Sequence, residues 1–371
     1  MKNPRERIII AAFLLLSLFV VYSLIIFSSA EPKTSARSAV LYEPETECFL
    51  YSKNADERLA MASTTKIMTA LVAIERAQLD EDVRVADGAI GIEGSSLYLK
   101  QGETLTLRSL LIGLMLRSAN DAAAAIAYHI SGGISEFAEL MNARARELGL
   151  SDTHFTNPHG LDDKDHYTTA RELALIAAEA MRNDVFKEIV SSKKEIIKNT
   201  AGEARLIINH NKLLSMYEGA VGVKTGFTKK CGRCLVGAAE RDGLQYITVT
   251  INAPDDWNDH IAMLNYGYSL LEKHVLAKIG QFSYKVPVIG DTERYLSVSN
   301  TDEISVILKK GAADPKILTE MPRYIAKNVN KGDVIGHIIF KSEGNEIARL
   351  PLIAEEDVQI QKRRGFFSIF N

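Results

Sequence analysis

The hydrophobic spacing of this chain changes twice along its length, and the order of those changes limits what it can fold into. Residues 37–43, "RSAVLYE", and 47–52, "ECFLYS", read as two short strands around the turn "PET". From residue 63 the spacing becomes helical, with apolar residues at 67, 68, 71, 72 and 74. The Leu- and Ala-rich stretch 105–130 reads as two helices broken near "LRSAND". Stretches 135–149 and 169–182 read as amphipathic helices, with "NPHGLDD" between them as a loop rich in turn formers. Strand-like runs then return in "AVGVKTGFT", "CLVGAAER" and "QYITVTINA", with "RDG" as a hairpin signal. "DWNDHIAMLNYGYSLLEKHV" reads as a closing helix. Strands, then helices, then an antiparallel meander predict an α+β domain with one sheet and clustered helices. The N-terminal strands are expected to join the later meander in that sheet.

After about residue 276 the texture is all short β-type runs, among them "FSYKVPVI", "YLSVSN", "EISVILKKG", "RYIAKNV", "DVIGHIIFKS" and "EIARLPLIA". They predict a small all-β domain over 276–357 after a main domain over 31–275. Residues 1–30 differ from both. "MKNPRER" is basic, Ile8 to Phe27 carry no charge, and "SSA" ends at Ala30. That is the layout of a signal peptide cleaved after Ala30. The apolar run is also long enough to serve as an uncleaved membrane anchor. Either way the basic start stays inside and the rest is exported. The tail 358–371 sets Lys362, Arg363 and Arg364 beside Phe366, Phe367, Ile369 and Phe370, which suits a membrane surface. A formal net charge of −3 and the lack of a basic stripe argue against nucleic acid as a partner.

Ser63 and Lys66 stand three residues apart where the first helix begins, so hydroxyl and amine can share a face. A serine hydroxyl needs an adjacent base to become a nucleophile. A lysine is a poor base while protonated, as it is in water. The positive end of the helix dipole, burial and a second cation all push it toward the neutral amine. Alone, this spacing describes an N-cap serine and a surface lysine equally well. Ser118 in "RSANDA" could likewise be a plain N-cap, and Lys224 in "GVKTGFT" a solvated strand residue.

Order and context remove those ordinary readings. Serine-x-x-lysine at a helix start, Ser118-Ala119-Asn120 between two helices and Lys224-Thr225-Gly226 on a strand form the set used by penicillin-binding proteins and class A β-lactamases. "MASTTKIMTAL", "EGSSLYLKQGE", "LMLRSANDAAAAIA", "FTNPHGLDD", "YTTARELALIA" and "GVKTGFTKKCGRCLVGAAERDG" resemble the low-molecular-mass penicillin-binding proteins, the D-alanyl-D-alanine carboxypeptidases. The resemblance runs from residue 37 to about 275, and the β-rich segment after it resembles that family's C-terminal domain.

It implies a β-lactamase/transpeptidase-like catalytic domain, no cofactor and no metal. The implied substrate is a peptidoglycan stem peptide, with β-lactam antibiotics as covalent inhibitors. Ser63 would attack the carbonyl between two terminal D-alanines, and Lys66 would take its proton. Ser118 would relay a proton to the leaving D-alanine. Asn120 would hold the substrate amide and steady Lys66. Lys224 and Thr225 would hold the terminal carboxylate, and Lys224 would be the cation that lowers the Lys66 pKa. Gly226 would let substrate backbone run close to the strand. Backbone N–H groups of Ser63 and Phe227 would form the oxyanion hole. Site of action would be extracytoplasmic, at the membrane or wall.

Two features fall outside this set. Cys231 and Cys234, in "CGRC", lack the further ligands a zinc site needs. In an extended strand residues three apart point to opposite faces, so two unpaired thiols are expected unless a turn forms between them. The family often has a cysteine at the Cys234 position; Cys231 departs from it. His159 and His166 are expected to be structural rather than catalytic. A β-lactamase is disfavoured because no convincing E-x-x-x-N loop lies between Asn120 and Lys224, and because a C-terminal β domain follows. A transpeptidase and a non-catalytic penicillin sensor stay open as alternatives.

Overall fold

The computed structural model describes residues 30–290 and 293–360. The segment read from the sequence as an export signal or anchor, but for Ala30, and the basic-aromatic stretch of the tail lie outside the described residues. Among those described, no helix is long and apolar enough to cross a membrane. The chain divides into two compact units, one ending at Leu270 and one beginning at Leu271.

In the first unit β1 (Ser38–Glu43) and β2 (Cys48–Lys53) form a hairpin. A 3-10 turn, Ala62–Thr65, leads into α1 (Lys66–Arg76). The short strands β3 (Asp82–Arg84) and β4 (Thr104–Thr106) pair before the helices α2 (Leu107–Leu116), α3 (Asn120–Ser131), α4 (Ile134–Glu147) and α5 (Ala170–Met181). Next come α6 (Asp184–Ser191), the hairpin β5 (Lys194–Lys198) and β6 (Ala204–Ile208), and the one-turn α7 (Leu213–Met216). The meander β7 (Ala220–Thr228), β8 (Gly232–Arg241) and β9 (Leu244–Ile251) follows, and α8 (Asp256–Leu270) closes the unit.

The main sheet is antiparallel and ordered β2-β1-β9-β8-β7. The N-terminal strands therefore join the meander, as the two changes of spacing require. Asp242 and Gly243 take positive φ, 54° and 74°, at the tight turn between β8 and β9. That is the backbone a two-residue hairpin demands. β7 ends the sheet, and its outer edge faces the helical cluster's cleft rather than another strand.

α3 lies at the centre of that cluster. Every residue from Asn120 to Ala127 is buried, and the alanine run lets neighbouring helices approach closely. One continuous core links α3 to Ile67, Met68 and Leu71 of α1, to Leu110 and Leu114 of α2, and to Val236, Ile247 and Val249 of the sheet. Full burial of each such large aliphatic chain is worth ~1.5–3 kcal/mol. This packing is the rigid frame on which the polar residues described below are mounted.

The second unit begins with β10 (Leu271–Ala277), then β11 (Ser283–Pro287), β12 (Tyr295–Ser299), β13 (Ile304–Lys309), β14 (Lys316–Glu320), β15 (Val334–Ser342) and β16 (Asn345–Ala354). β10 pairs with β13, and the rest form an antiparallel sheet ordered β11-β12-β16-β15-β14. Its core of Val286, Leu296, Val298, Ile338, Phe340 and Leu352 is separate from that of the first unit.

Several local readings change. The closing helix stops at Leu270 instead of running to Val275, because "LEKHVLA" pairs as β10. "RYIAKNV" is not a strand; Ile325 and Val329 make isolated bridges only. The hairpin β5–β6 and the helix α6 have no clear signal in the sequence. The two strands and the helix are each only five to eight residues long, too short for their apolar spacing to stand out from a loop.

Candidate active site

Ser63 sits in the 3-10 turn before α1 rather than inside a regular helix. Ala62 takes φ 47°, and the hydroxyls of Thr64 and Thr65 donate to the carbonyls of Met61 (2.6 Å) and Ala62 (2.8 Å). Two hydroxyls thus hold the backbone just where it would otherwise relax into the helix. The loop 157–163 clasps the same turn. Gly160 has φ +87°, and a Cβ there would lie 2.0 Å from the Ala62 carbonyl oxygen.

Lys66 is fully buried, with Nζ 2.9 Å from Ser63 Oγ and 2.7 Å from Asn120 Oδ1. The backbone carbonyl of His159 is its third partner. Burial drives the Lys66 pKa well below that of a free lysine, and the charge of Lys224 adds to the fall; Asp121 opposes it. The neutral amine has two N–H bonds and one lone pair. The Asn120 and His159 oxygens can only accept, so they take the two protons. The lone pair is left for Ser63, the one partner of the three that can donate. The cage therefore presents Lys66 to Ser63 as a base.

Asn120 is fixed from both ends. Its backbone N–H donates to Ser95 O (2.7 Å), and its Nδ2 donates to Glu93 O, which sets the orientation of the amide. Asp121, also buried, accepts from the backbone of Leu97 and Leu99 and from Ser96 Oγ. The loop 93–99 is thereby tied to the start of α3. Ser118 lies in the break between α2 and α3 with φ 63° and lines a cleft of ≈ 400 Å³ together with Ser63, Ser95, Thr225, Gly226 and Phe227.

Lys224 is 1% exposed, and burial lowers its pKa to about 7. Its Nζ donates to Thr225 O at 2.8 Å. Gly226 meets the nucleophile's own backbone. A Cβ built there would be 3.1 Å from Ser63 N and 3.2 Å from Thr64 N. The close approach that demands glycine is thus made by the turn carrying Ser63. β7 is the edge strand, so alternate residues turn their backbone groups into the cleft instead of toward β8. Phe227 is 65% exposed.

The sequence-derived residues come together around one cleft, apart from roles that only a substrate would reveal. His159 contributes a carbonyl, and burial and Lys66 hold its imidazole down at about 3. His166, lowered to about 4 by burial, bonds Thr65 Oγ1 through Nε2 (2.7 Å) and accepts from Thr156 N through Nδ1 (3.0 Å). Both are neutral and structural at pH 7. The carbonyls of His159 and Glu93 and the carboxylate of Asp121 had no assigned role in the sequence; a backbone oxygen leaves no mark in residue type. Arg233, Asp256 and Trp257 also line the cleft, with Arg233 Nη2 2.7 Å from Asp256 Oδ1. Among the described residues no cluster fit to hold a metal ion occurs.

The D-alanyl-D-alanine carboxypeptidase family, peptidase family S11, matches residues 26–255. The chain belongs to this family. It is a serine-type peptidase of the low-molecular-mass penicillin-binding group, and residues 272–359 match the C-terminal domain of penicillin-binding protein 5. The D-alanyl-D-alanine carboxypeptidase DacF of Bacillus subtilis is 34% identical over 350 residues, 92% of this chain and 89% of that protein. The solved D-alanyl-D-alanine carboxypeptidase DacD of Francisella tularensis is 26% identical with a TM-score of 0.65, covering 90% of this chain and 96% of the other. The Streptomyces K15 DD-transpeptidase is 35% identical with a TM-score of 0.62, covering 65% of this chain and all of the other.

Proposed function

We propose that this chain removes the terminal D-alanine from peptidoglycan stem pentapeptides through an acyl-enzyme on Ser63. The carrying observation is the Lys66 cage, in which Nζ reaches Ser63 Oγ at 2.9 Å while Asn120 Oδ1 and the His159 carbonyl occupy its other contacts. In the first step the Ser63 proton passes to Lys66 Nζ as Oγ attacks the penultimate D-Ala carbonyl. Negative charge develops on the carbonyl oxygen and is met by the N–H groups of Ser63 and Phe227. Ser118 passes a proton from Lys66 to the departing D-alanine nitrogen. Water then attacks the ester, with Lys66 again as base, and the shortened peptide leaves.

Lys224 and Thr225 hold the terminal carboxylate. With a pKa lowered by burial to about 7, Lys224 is half-protonated near neutrality. A bound carboxylate favours its charged form, so substrate recruits its own cation. Asn120 holds the substrate amide while steadying Lys66. A β-lactam, which mimics the dipeptide, acylates the same oxygen. Since peptidoglycan lies outside the cytoplasm, residues 1–30 serve export as signal peptide or anchor, with 31–275 as the catalytic part and 276–357 as the β-rich part. The basic-aromatic tail from 358 rests on the membrane surface.

Likeness to a DD-transpeptidase favours a second outcome at the same acyl-enzyme, attack by an amine of another stem peptide in place of water. Incubating a pentapeptide ending in D-Ala-D-Ala with the wild type and with Ser63→Ala tests these readings together. Expected are free D-alanine and labelling by a fluorescent penicillin, both lost in the variant. Labelling without release would make the protein a penicillin sensor, and cross-linked peptide dimers would make it a transpeptidase. Release that survives in Ser63→Ala would sink the acyl-serine reading.

A further inference from the structure

Cys231 and Cys234 are both buried where β7 turns into β8, and the strand rule that predicts opposite faces does not hold for them. Cys231 belongs to the turn between β7 and β8, and Gly232 follows with φ +71°. A Cβ at Gly232 would meet Asn252 Oδ1 at 2.5 Å, so the bend belongs to glycine. It swings Cys231 back over Cys234, and the two sulfurs stand 3.8 Å apart as free thiols. Both are buried, at 7% and 0% exposure. The remaining cysteine, Cys48, is exposed on β2 at the opposite edge of the sheet.

Each thiol touches the catalytic frame by its own route. Cys234 is registered directly across from Gly226, and antiparallel partners project to the same face of a sheet. That face is the one on which the Ser63 and Thr64 backbone rests. Cys231 Sγ lies 3.2 Å from Thr228 Oγ1, whose single proton it shares with Asp162 Oδ1 at 3.0 Å. Thr228 follows Phe227 at the end of β7. Asp162 belongs to the loop whose His159 carbonyl and Gly160 clasp Lys66 and Ala62.

We propose that Cys231 and Cys234 form a reversible oxidation site, a vicinal dithiol that closes to a disulfide in the presence of a hydroperoxide and slows acylation of Ser63. Cys231 thiolate attacks the terminal peroxide oxygen, the O–O bond breaks, and the alcohol leaves with one proton. The sulfenic acid so formed on Cys231 is attacked by Cys234 sulfur. Its oxygen departs as water, taking the Cys234 proton. Two thiols are oxidised by two electrons, and one hydroperoxide is reduced to an alcohol and water. Closure brings the sulfurs from 3.8 Å to a bond of about 2 Å. The turn must move toward β8, drawing Thr228 from its place between Cys231 and Asp162. Hydrogen bonds from Cys234 and Thr228 favour the thiolate at Cys231, which is the attacking partner in this scheme.

The slowed acylation rests on the Ser63 reading, whereas the disulfide itself does not. The full chain is treated with hydrogen peroxide, quenched, denatured, and analysed by intact mass and thiol count. Penicillin acylation is followed in parallel. Expected are a loss of ~2 Da and a fall from three reactive thiols to one. Acylation should slow ~10-fold, since sub-ångström displacement of a nucleophile is costly. Dithiothreitol should restore it, and Cys231→Ser should acylate normally and ignore peroxide. A sulfinic acid instead of a disulfide, or a disulfide with unchanged acylation, would overturn the proposal. So would equal peroxide sensitivity in Cys231→Ser. Absence of penicillin labelling in the reduced wild type would count against the Ser63 reading alone, with the mass result still deciding the disulfide.

Discussion

At the scale of single residues, the chemistry turns on where two protons of one amine must go. Replacing Asn120 by Ala removes an acceptor that Lys66 uses and leaves a buried N–H without a partner, which costs ~1–3 kcal/mol. The amine is then free to turn from Ser63, and acylation by penicillin should fall ~100-fold. The pH profile reports the lysine pair. Acylation needs neutral Lys66, so its rate rises with pH through the Lys66 pKa. Burial and the Lys224 charge both lower that pKa, which carries the rising limb to lower pH. Lys224→Gln removes one of these causes. Its rising limb should move to higher pH than in the wild type, read from the acylation rate against pH. A limb unmoved, or moved the other way, would mean that the two amines do not sense each other.

At the scale of elements, two glycines hold the nucleophile turn and do so differently. Gly160→Ala puts a methyl 2.0 Å from the Ala62 carbonyl oxygen and 2.9 Å from Thr65 Oγ1 at a φ of +87°, and the closest of these contacts is backbone. The loop 157–163 must shift, and stability toward urea should drop by ~2 kcal/mol or more. At Gly226 the built Cβ is 3.1 Å from Ser63 N, a contact relieved by a few tenths of an ångström. Gly226→Ala should therefore unfold near the wild-type urea midpoint and yet acylate more slowly, because the movement falls on Ser63 itself. Equal losses of stability in the two variants would contradict this account.

At the scale of the whole molecule, the two units have separate cores, and each sheet closes within its own unit. The nucleophile, its base, the α2–α3 break and β7 all belong to the first unit. The Streptomyces K15 DD-transpeptidase is matched over its full length by 65% of this chain, so a related protein does without the rest. A chain ending at Leu270 should fold and keep its penicillin acylation rate; loss of labelling despite a cooperative unfolding transition would show that the β-rich unit completes the site.

The amino-acid sequence by itself determined the layout of the main sheet and the residues that meet in the cleft. Strand periodicity and a hairpin turn are local properties, and three short motifs carry their residue types openly. It also held the reason for an active lysine, though with the weights misplaced. The helix dipole counted among the causes, whereas burial comes first and Lys224, 158 positions away in the chain, comes second. Only the tertiary structure decided that Gly226 makes room for Ser63, that a carbonyl of His159 completes the lysine cage, and that one left-handed glycine sets two sulfurs side by side. Each of these depends on backbone atoms brought together from distant segments or on a single dihedral angle. Residue type records neither.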